Sequence, residues 1–449
     1  MLMLPVFANI PLLFDLYLYT FGQDKGIGAY VVLIMLMGAV FISWMYLNIR
    51  PFHGQEKPGL RLTIMRGGTV LVVYSLYAFV LQAVLFGLFY RKLYAGAFGY
   101  HPAGRLLIWN AVYAVVICFV ILWNGILRMF LLSARLRIGT RLLMLFAMWI
   151  PVVNLIVLLY ARRQVLAEYD FACYKEAVRT TRAESDLCNT KYPLIMVHGI
   201  GFRDLKYFNY WGRIPRELTR YGASVYYGNQ EAMGTIAYNA EDIRAKVHSV
   251  MAETGSEKVN IIAHSKGGLD ARYAISKLDI ADHVASLTTI NTPHHGCRFV
   301  DSACRLPDGL YHLVAKIFDW SFRHFGDTNP DFYTATRQFS TITSRQFNEE
   351  VPDAAGVYYQ SYASVMKDAL SDTLLCLPYL LIYPLEGAND GLVSIESAKW
   401  GEFQTVFRSK KHRGISHGDM IDLKREDYKG FDVVECYVQI VSELKARGF

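Results

Sequence analysis

A serine at position 265 stands where a strand-like run gives way to a helix-like one. The apolar, β-branched stretch 259–263 stops at His264-Ser265-Lys266-Gly267-Gly268, and a helical pattern follows over 269–278. A strand that turns straight into a helix strains the residue at the turn, and side chains two positions away on either side must be small to avoid collision. Those positions are Ala263 and Gly267. Downstream lie Asn389-Asp390-Gly391-Leu392-Val393 and Gly414-Ile415-Ser416-His417-Gly418-Asp419. Together Ser265, Asp390 and His417 carry the parts of nucleophilic catalysis. A serine hydroxyl is a weak nucleophile until a base takes its proton. A histidine near neutrality can take that proton and return it to a leaving group. A carboxylate fixes the tautomer of the histidine and stabilises its charged form.

Upstream, Pro193-Leu194-Ile195-Met196-Val197 has a short buried-strand pattern and ends in His198-Gly199-Ile200-Gly201. In α/β-hydrolases such a loop supplies one backbone N–H to an oxyanion hole, and the residue after the nucleophile, here Lys266, supplies the other. One fixed donor is worth roughly 3–4 kcal/mol of barrier in a protease. The order Ser265, Asp390, His417 is the α/β-hydrolase order. Several competitors are weaker. His412 lies in the basic run 408–413, and Glu386 and Glu396 lack the Asp-Gly-Leu-Val context. His264, beside the nucleophile, reads as a residue that shapes the pocket. His294 and His295 invite a metal reading, but adjacent residues in an extended chain point to opposite faces.

From Tyr192 to about Asp427 the chain resembles the bacterial true lipases, the secreted triacylglycerol lipases of pseudomonads and bacilli. The resemblance rests on Tyr192-Pro193, His198-Gly199, Tyr210-Trp211 before Ile214-Pro215, Ala223-Ser224-Val225-Tyr226, and the serine stretch continuing to Leu269-Asp270-Ala271-Arg272-Tyr273. Further along come Thr292-Pro293-His294-His295-Gly296, Gln346-Phe347-Asn348 before Val351-Pro352, Tyr358-Tyr359, Asn389-Asp390-Gly391-Leu392-Val393 and His417-Gly418-Asp419. The resemblance implies Ser265 as nucleophile, Asp390 as acid, His417 as base, and Ile200 and Lys266 as the oxyanion donors. It implies a structural calcium held by Asp372 and Asp419, a donor type that calcium favours; Asp419 also reads as a cap for a helix starting at Met420. The run after Asp372, Leu374-Leu375-Cys376-Leu377, is more apolar than such a site suggests, and the family disulfide has no counterpart. The family also carries a lid in the region of residues 297–357, where 310–322 repeats apolar residues at helical spacing.

The first 160 residues are of another kind. Residues 28–49, 68–90, 106–127 and 142–160 each run 19–23 residues without Asp, Glu, Lys or Arg, the length that crosses a ~30 Å hydrocarbon core as helix. Basic residues flank them, and Tyr and Trp near their ends suit interface belts. Four transmembrane helices are expected, with 1–21, containing Pro5, Pro11 and Asp15, as a fifth span or an interfacial helix. Asn110 and Asn124 share a helix face, and Asn154 lies near Pro151; polar groups of this kind tie helices together. With no ionisable residue inside the four spans, ion-coupled transport is excluded as a class. Residues 1–160 hold 12 Lys and Arg against 3 Asp and Glu, and the remainder 34 against 36. The formal charge of +7 therefore belongs to membrane-flanking loops and not to nucleic-acid binding.

If all four stretches cross, loops 50–66 and 128–141 carry eight basic residues on one side. Seven face them: Lys25, three in 91–105, and Arg162, Arg163 and Lys175. That near-balance leaves the side of the catalytic domain open. Cys173/Cys188 and Cys297/Cys304 can pair or stay free. The sequence thus predicts an all-α transmembrane bundle over 1–160, a charged connector over 161–191, and an α/β-hydrolase domain over 192–449 with its lid near 297–357. The expected activity is ester hydrolysis on a lipid, with no cofactor needed for the chemistry. Acyl transfer, thioester cleavage or glycolipid deacylation by the same triad, and a non-catalytic scaffold, are the alternatives. The Lys266 side chain is expected to bias the site toward an anionic headgroup.

Overall fold

The computed structural model describes residues 3–21, 27–52, 59–86, 99–136, 138–182, 186–201, 209–305, 307–324, 326–409, 414–425 and 430–449. Internal contacts divide the chain into two units, Met1–Thr181 and Arg182–Phe449.

In the first unit, Ile27–Ile49, Leu60–Val84 and Gly104–Leu132 are helices long and apolar enough to cross a membrane. Leu60–Val84 starts eight residues before the expected span, and 87–90 lie outside the described residues. It packs tightly on Gly104–Leu132, because Gly68 and Gly125 face each other. A Cβ on either would lie 2.8 Å from the carbonyl oxygen of the other. Between helices in lipid, such small residues let backbones approach where no hydrophobic force draws them together. Polar bonds add to the join. Ser75 Oγ donates to the Cys118 carbonyl (2.8 Å), and Asn124 Nδ2 to the Asn48 carbonyl (3.0 Å). Residues 3–21 form two helices, Met3–Ala8 and Ile10–Phe21, broken at Asn9. Asn110 ties the break to the bundle: its Nδ2 donates to Asn9 Oδ1 (2.8 Å) and its Oδ1 accepts the Leu12 N–H (3.3 Å).

The fourth stretch, 142–160, departs from expectation. Helix Ile138–Ala147 ends, 148–150 turn, and a new helix runs Pro151–Arg182. Proline has no N–H to continue a helix and is tolerated only in a first turn, so Pro151 marks a restart. The turn satisfies itself: the Ile150 N–H donates to the Ala147 carbonyl (3.0 Å), and Asn154 Nδ2 to the Met148 carbonyl (3.3 Å). Much of the expected connector, 161–182, continues this last helix.

The second unit is built on a six-stranded sheet. Its strands are β1 (Leu194–Val197), β2 (Val225–Tyr227), β3 (Val259–His264), β4 (Val284–Ile290), β5 (Tyr358–Ser364) and β6 (Glu402–Phe407), in order β2-β1-β3-β4-β5-β6 and all parallel. β1, β3 and β4 are buried at every residue, which is why they read as unbroken apolar runs. Side-chain alternation along β1 feeds two cores. Leu194 and Met196 pack with Trp211, Ile214, Leu218 and Tyr437, while Ile195 and Val197 pack with Ile243, Val247, Ala271 and Ile275. Between β4 and β5 lie the helices Arg298–Ala303, Asp308–His324, Phe332–Arg337 and Thr341–Glu350, in the expected lid region. The segment joining the second and third is fastened by carboxylates: Asp327 accepts the N–H of Met233 (2.8 Å), and Glu231 accepts those of Thr328 (2.6 Å) and Asn329 (3.0 Å). After β5, helix Cys376–Glu386 exposes Leu377, Leu380 and Leu381, next to an exposed Leu374. All seven cysteines are free thiols, so neither Cys173/Cys188 nor Cys297/Cys304 is bonded.

Gly125→Leu should lower the unfolding temperature of the detergent-solubilised protein by several degrees, since overpacking costs about 1–3 kcal/mol. Gly139→Leu, where an added Cβ meets nothing within 4 Å, should leave it unchanged. Equal melting curves for the two variants would refute the Gly68–Gly125 contact.

Candidate active site

Ser265 directly follows β3 with φ 56°, a left-handed conformation, two residues before the helix Gly267–Lys277 begins. The turn admits no bulk. A Cβ on Gly267 would lie 2.3 Å from the His198 carbonyl oxygen, and one on Gly199 2.7 Å from the Ser265 Cβ. The strained residue is held on both sides: its N–H donates to the Ile290 carbonyl (3.0 Å) and its carbonyl accepts from Thr292 Oγ1 (2.7 Å).

His417 and Asp390 come together 27 residues apart in sequence. His417 Nδ1 lies 2.7 Å from Asp390 Oδ2, and the His417 N–H donates to the Asp390 carbonyl (2.9 Å). The other carboxylate oxygen, Oδ1, accepts the N–H groups of Leu392 (2.9 Å) and Val393 (2.8 Å). This explains why Asp390 needs the Gly-Leu-Val that follows: the turn supplies donors that fix the carboxylate. The His417 ring lies 4.4 Å from the His264 ring, centroid to centroid, and so against the residue that precedes Ser265. Among the described residues no hydrogen bond joins Ser265 Oγ to the His417 ring; such bonds are often long before substrate binds. The N–H groups of Ile200 and Lys266 have no intramolecular partner among the described residues, which leaves both able to donate to an oxyanion.

The neighbours sort by what already occupies them. His264 Nδ1 meets the Tyr210 hydroxyl at 2.8 Å, and burial, with His417 adding to it, holds this imidazole well below the usual histidine range and hence neutral. His294 is buried with both ring nitrogens engaged, by Thr289 (3.0 Å) and Arg272 (3.4 Å), while His295 is exposed. Glu386 accepts the Arg298 N–H (2.7 Å), Glu396 pairs with Lys399 (2.6 Å), and His412 lies outside the described residues. A cavity of about 1030 Å³, lined by Arg298, Asp301, Arg345 and Glu386 among others, contains none of Ser265, Asp390 and His417. Its charged lining suits water better than an acyl chain.

Two expectations need correction. The Lys266 side chain does not face a headgroup: it is 1% exposed, and its Nζ lies 2.6 and 2.8 Å from the two oxygens of Asp270. Burial pushes Asp270 up to about 6 even against this ammonium. The i, i+4 spacing of Lys266 and Asp270 was the signal for this pair. The calcium residues also close on themselves. Asp372 Oδ2 accepts from Lys424 Nζ (2.6 Å) and Ser416 Oγ (2.8 Å), and Asp419 Oδ2 accepts the Ser416 N–H (2.9 Å). Burial works to raise the Asp372 carboxyl, and Lys424 and Ser416 outweigh it, holding it below its ordinary value. An ammonium thus stands where a cation would bind, and the residues do not fit calcium. No cluster of three or more His, Cys, Asp or Glu that could hold a metal occurs among the described residues. Nothing in the sequence pointed to Lys424, which is 52 residues from its partner.

Lys266→Met should cost about 3–5 kcal/mol by stranding a buried carboxylate, with Lys266→Met/Asp270→Leu recovering most of it. Chemical unfolding measures both, and a double variant no better than the single one would contradict the pairing. EGTA should leave the unfolding temperature unchanged, whereas Lys424→Ala should lower it. A shift on chelation would restore calcium to the site.

Residues 193–359 match the family model described as palmitoyl protein thioesterase. A triacylglycerol lipase of Vibrio cholerae is 31% identical over 289 residues, covering 58% of this chain and 89% of the relative. Triacylglycerol lipase 2 of Saccharomyces cerevisiae is 28% identical over 273 residues, covering 55% and 78%. A triacylglycerol lipase of Pseudomonas fragi is 27% identical over 303 residues, covering 59% and 99%. The crystal structure of mature Bacillus licheniformis lipase BlEst2 is 18% identical, with a TM-score of 0.43, covering 56% of this chain and 92% of that one.

Proposed function

Since this chain belongs to the triacylglycerol lipase family and is a carboxylic ester hydrolase, we propose that it cleaves lipid esters at a membrane through Ser265, His417 and Asp390. The observation that carries this is the 2.7 Å contact of His417 with Asp390, beside a serine in the left-handed conformation of a nucleophile turn. The reaction has two halves. Ser265 Oγ attacks the ester carbonyl as His417 Nε2 takes its proton, and the oxyanion is met by the N–H groups of Ile200 and Lys266. His417 then protonates the departing alcohol, leaving an acyl group on Ser265. Water, deprotonated by the same nitrogen, releases the fatty acid and restores the serine. Asp390 holds Nδ1–H throughout and offsets the imidazolium charge. Anchoring rests on the three long apolar helices of the first unit, which would keep the hydrolase beside insoluble substrate.

Thioester cleavage is a second reading, favoured by the family-model match over 193–359. The same triad serves both, because only the leaving atom differs.

A fluorophosphonate probe should label the wild-type protein and not Ser265→Ala. Hydrolysis of a ladder of p-nitrophenyl esters should fall on the order of 10⁴-fold or more in Ser265→Ala and His417→Ala. Retained labelling in Ser265→Ala would remove the serine from the role. Faster turnover of palmitoyl thioesters than of matched oxygen esters would favour the second reading.

A further inference from the structure

The break at 148–150 changes which parts of the chain share an end of the helical unit. Helix Ile138–Ala147 is ten residues long, about 15 Å, or half a hydrocarbon core. The chain then turns at an apolar tip, where Trp149 is 82% exposed, and comes back along Pro151–Arg182. The inner faces of the two arms pack with Met65 and Met129, near the start of Leu60–Val84 and the end of Gly104–Leu132. The residues after the turn therefore return to the end they left. Glu168 marks the place. Its carboxylate is gripped by Arg61 Nη2 (2.9 Å), Ser133 Oγ (2.7 Å) and the Arg135 N–H (3.1 Å). Tyr169 meets Phe52 edge to face at 5.7 Å.

This pairing of ends settles the charge count. By sequence, 50–66 and 128–141 carry four basic residues each, and Arg162, Arg163 and Lys175 now join them. Among the described residues nine of these stand at this end, against Arg105 at the other. Of these, Arg66 and Arg162 converge on Thr69, on its hydroxyl (2.6 Å) and carbonyl (3.4 Å), with no carboxylate partner among the described residues. Positive loops stay on the cytoplasmic side, where anionic headgroups attract nearby Lys and Arg.

We propose that this basic end is a docking surface for the anionic headgroups of the cytoplasmic leaflet, and that the hydrolase unit, which follows from it, works in the cytoplasm on esters of that leaflet. The proposal rests on the membrane-anchored reading above. The seven free thiols suit a reducing compartment.

Full-length chain fused after Phe449 to green fluorescent protein or to alkaline phosphatase, expressed in a bacterial inner membrane, tests the orientation. Fluorescent cells and inactive phosphatase are expected. Inside-out membrane vesicles should hydrolyse an added impermeant ester at least tenfold faster than right-side-out ones, the difference vanishing on permeabilisation. Dark cells with active phosphatase, or the opposite vesicle preference, overturn the proposal. Release of the unfused protein from membranes by alkaline carbonate would instead overturn the anchored reading itself.

Discussion

Everything in the hydrolase unit that bears on chemistry is arranged around one backbone angle, the positive φ of Ser265. A left-handed conformation costs an L-residue roughly 1–2 kcal/mol, and the surroundings must hold it. They do so with the Ile290 carbonyl, the Thr292 hydroxyl and the absence of side chains at Gly199 and Gly267. The same turn presents Oγ at the C-terminal edge of the sheet and leaves the Lys266 N–H unbonded at the start of a helix. The proposed nucleophile and oxyanion donor are thus consequences of a single local distortion. Asp390 and His417 then need only reach that edge, which the loops after β5 and β6 do.

Much of this was legible because the motifs carry geometry as well as chemistry. Small residues at 263 and 267, and the turn after Asp390, have spacings that only one backbone shape explains. Other motif residues turn out to be scaffolding. The buried Arg272 lies 3.5 Å over the Trp400 ring, donates to Asn348 (2.8 Å) and reaches His294. With a bond to the Val351 carbonyl (2.9 Å), this fastens the end of the insertion to the helix that follows β3. What the sequence hid were contacts without local periodicity. Lys424 on Asp372 joins distant loops, and no spacing announces it. Lys266 was read by its charge when its burial decided its role. In the helical unit, a hydropathy window sees composition alone, so a half-length hairpin broken at Pro151 and a full span read alike.

The helical unit solves a different problem. Apolar helices in lipid have little to drive them together, so contact must come from shape and from polar bonds whose alternative is an unmet donor. Gly68 against Gly125 supplies the first. Asn110 and Asn124 supply the second, each bonded to a neighbouring segment. Glu168 gathers three strands of this logic at once, since its carboxylate satisfies a guanidinium, a hydroxyl and backbone N–H groups of the loop after Gly104–Leu132.

The leucines around helix Cys376–Glu386 bear on how such a protein can exist at all. Leu370, Leu374 and Leu377 are 86%, 75% and 66% exposed, and large apolar side chains exposed this close together in sequence favour self-association in water. A hydrolase unit severed from its helices would carry that liability in water. On the anchored reading proposed above, the N-terminal helices become a condition of colloidal stability as well. A simple deletion would not turn this chain into a freely diffusing enzyme; its leucine surface would have to change as well.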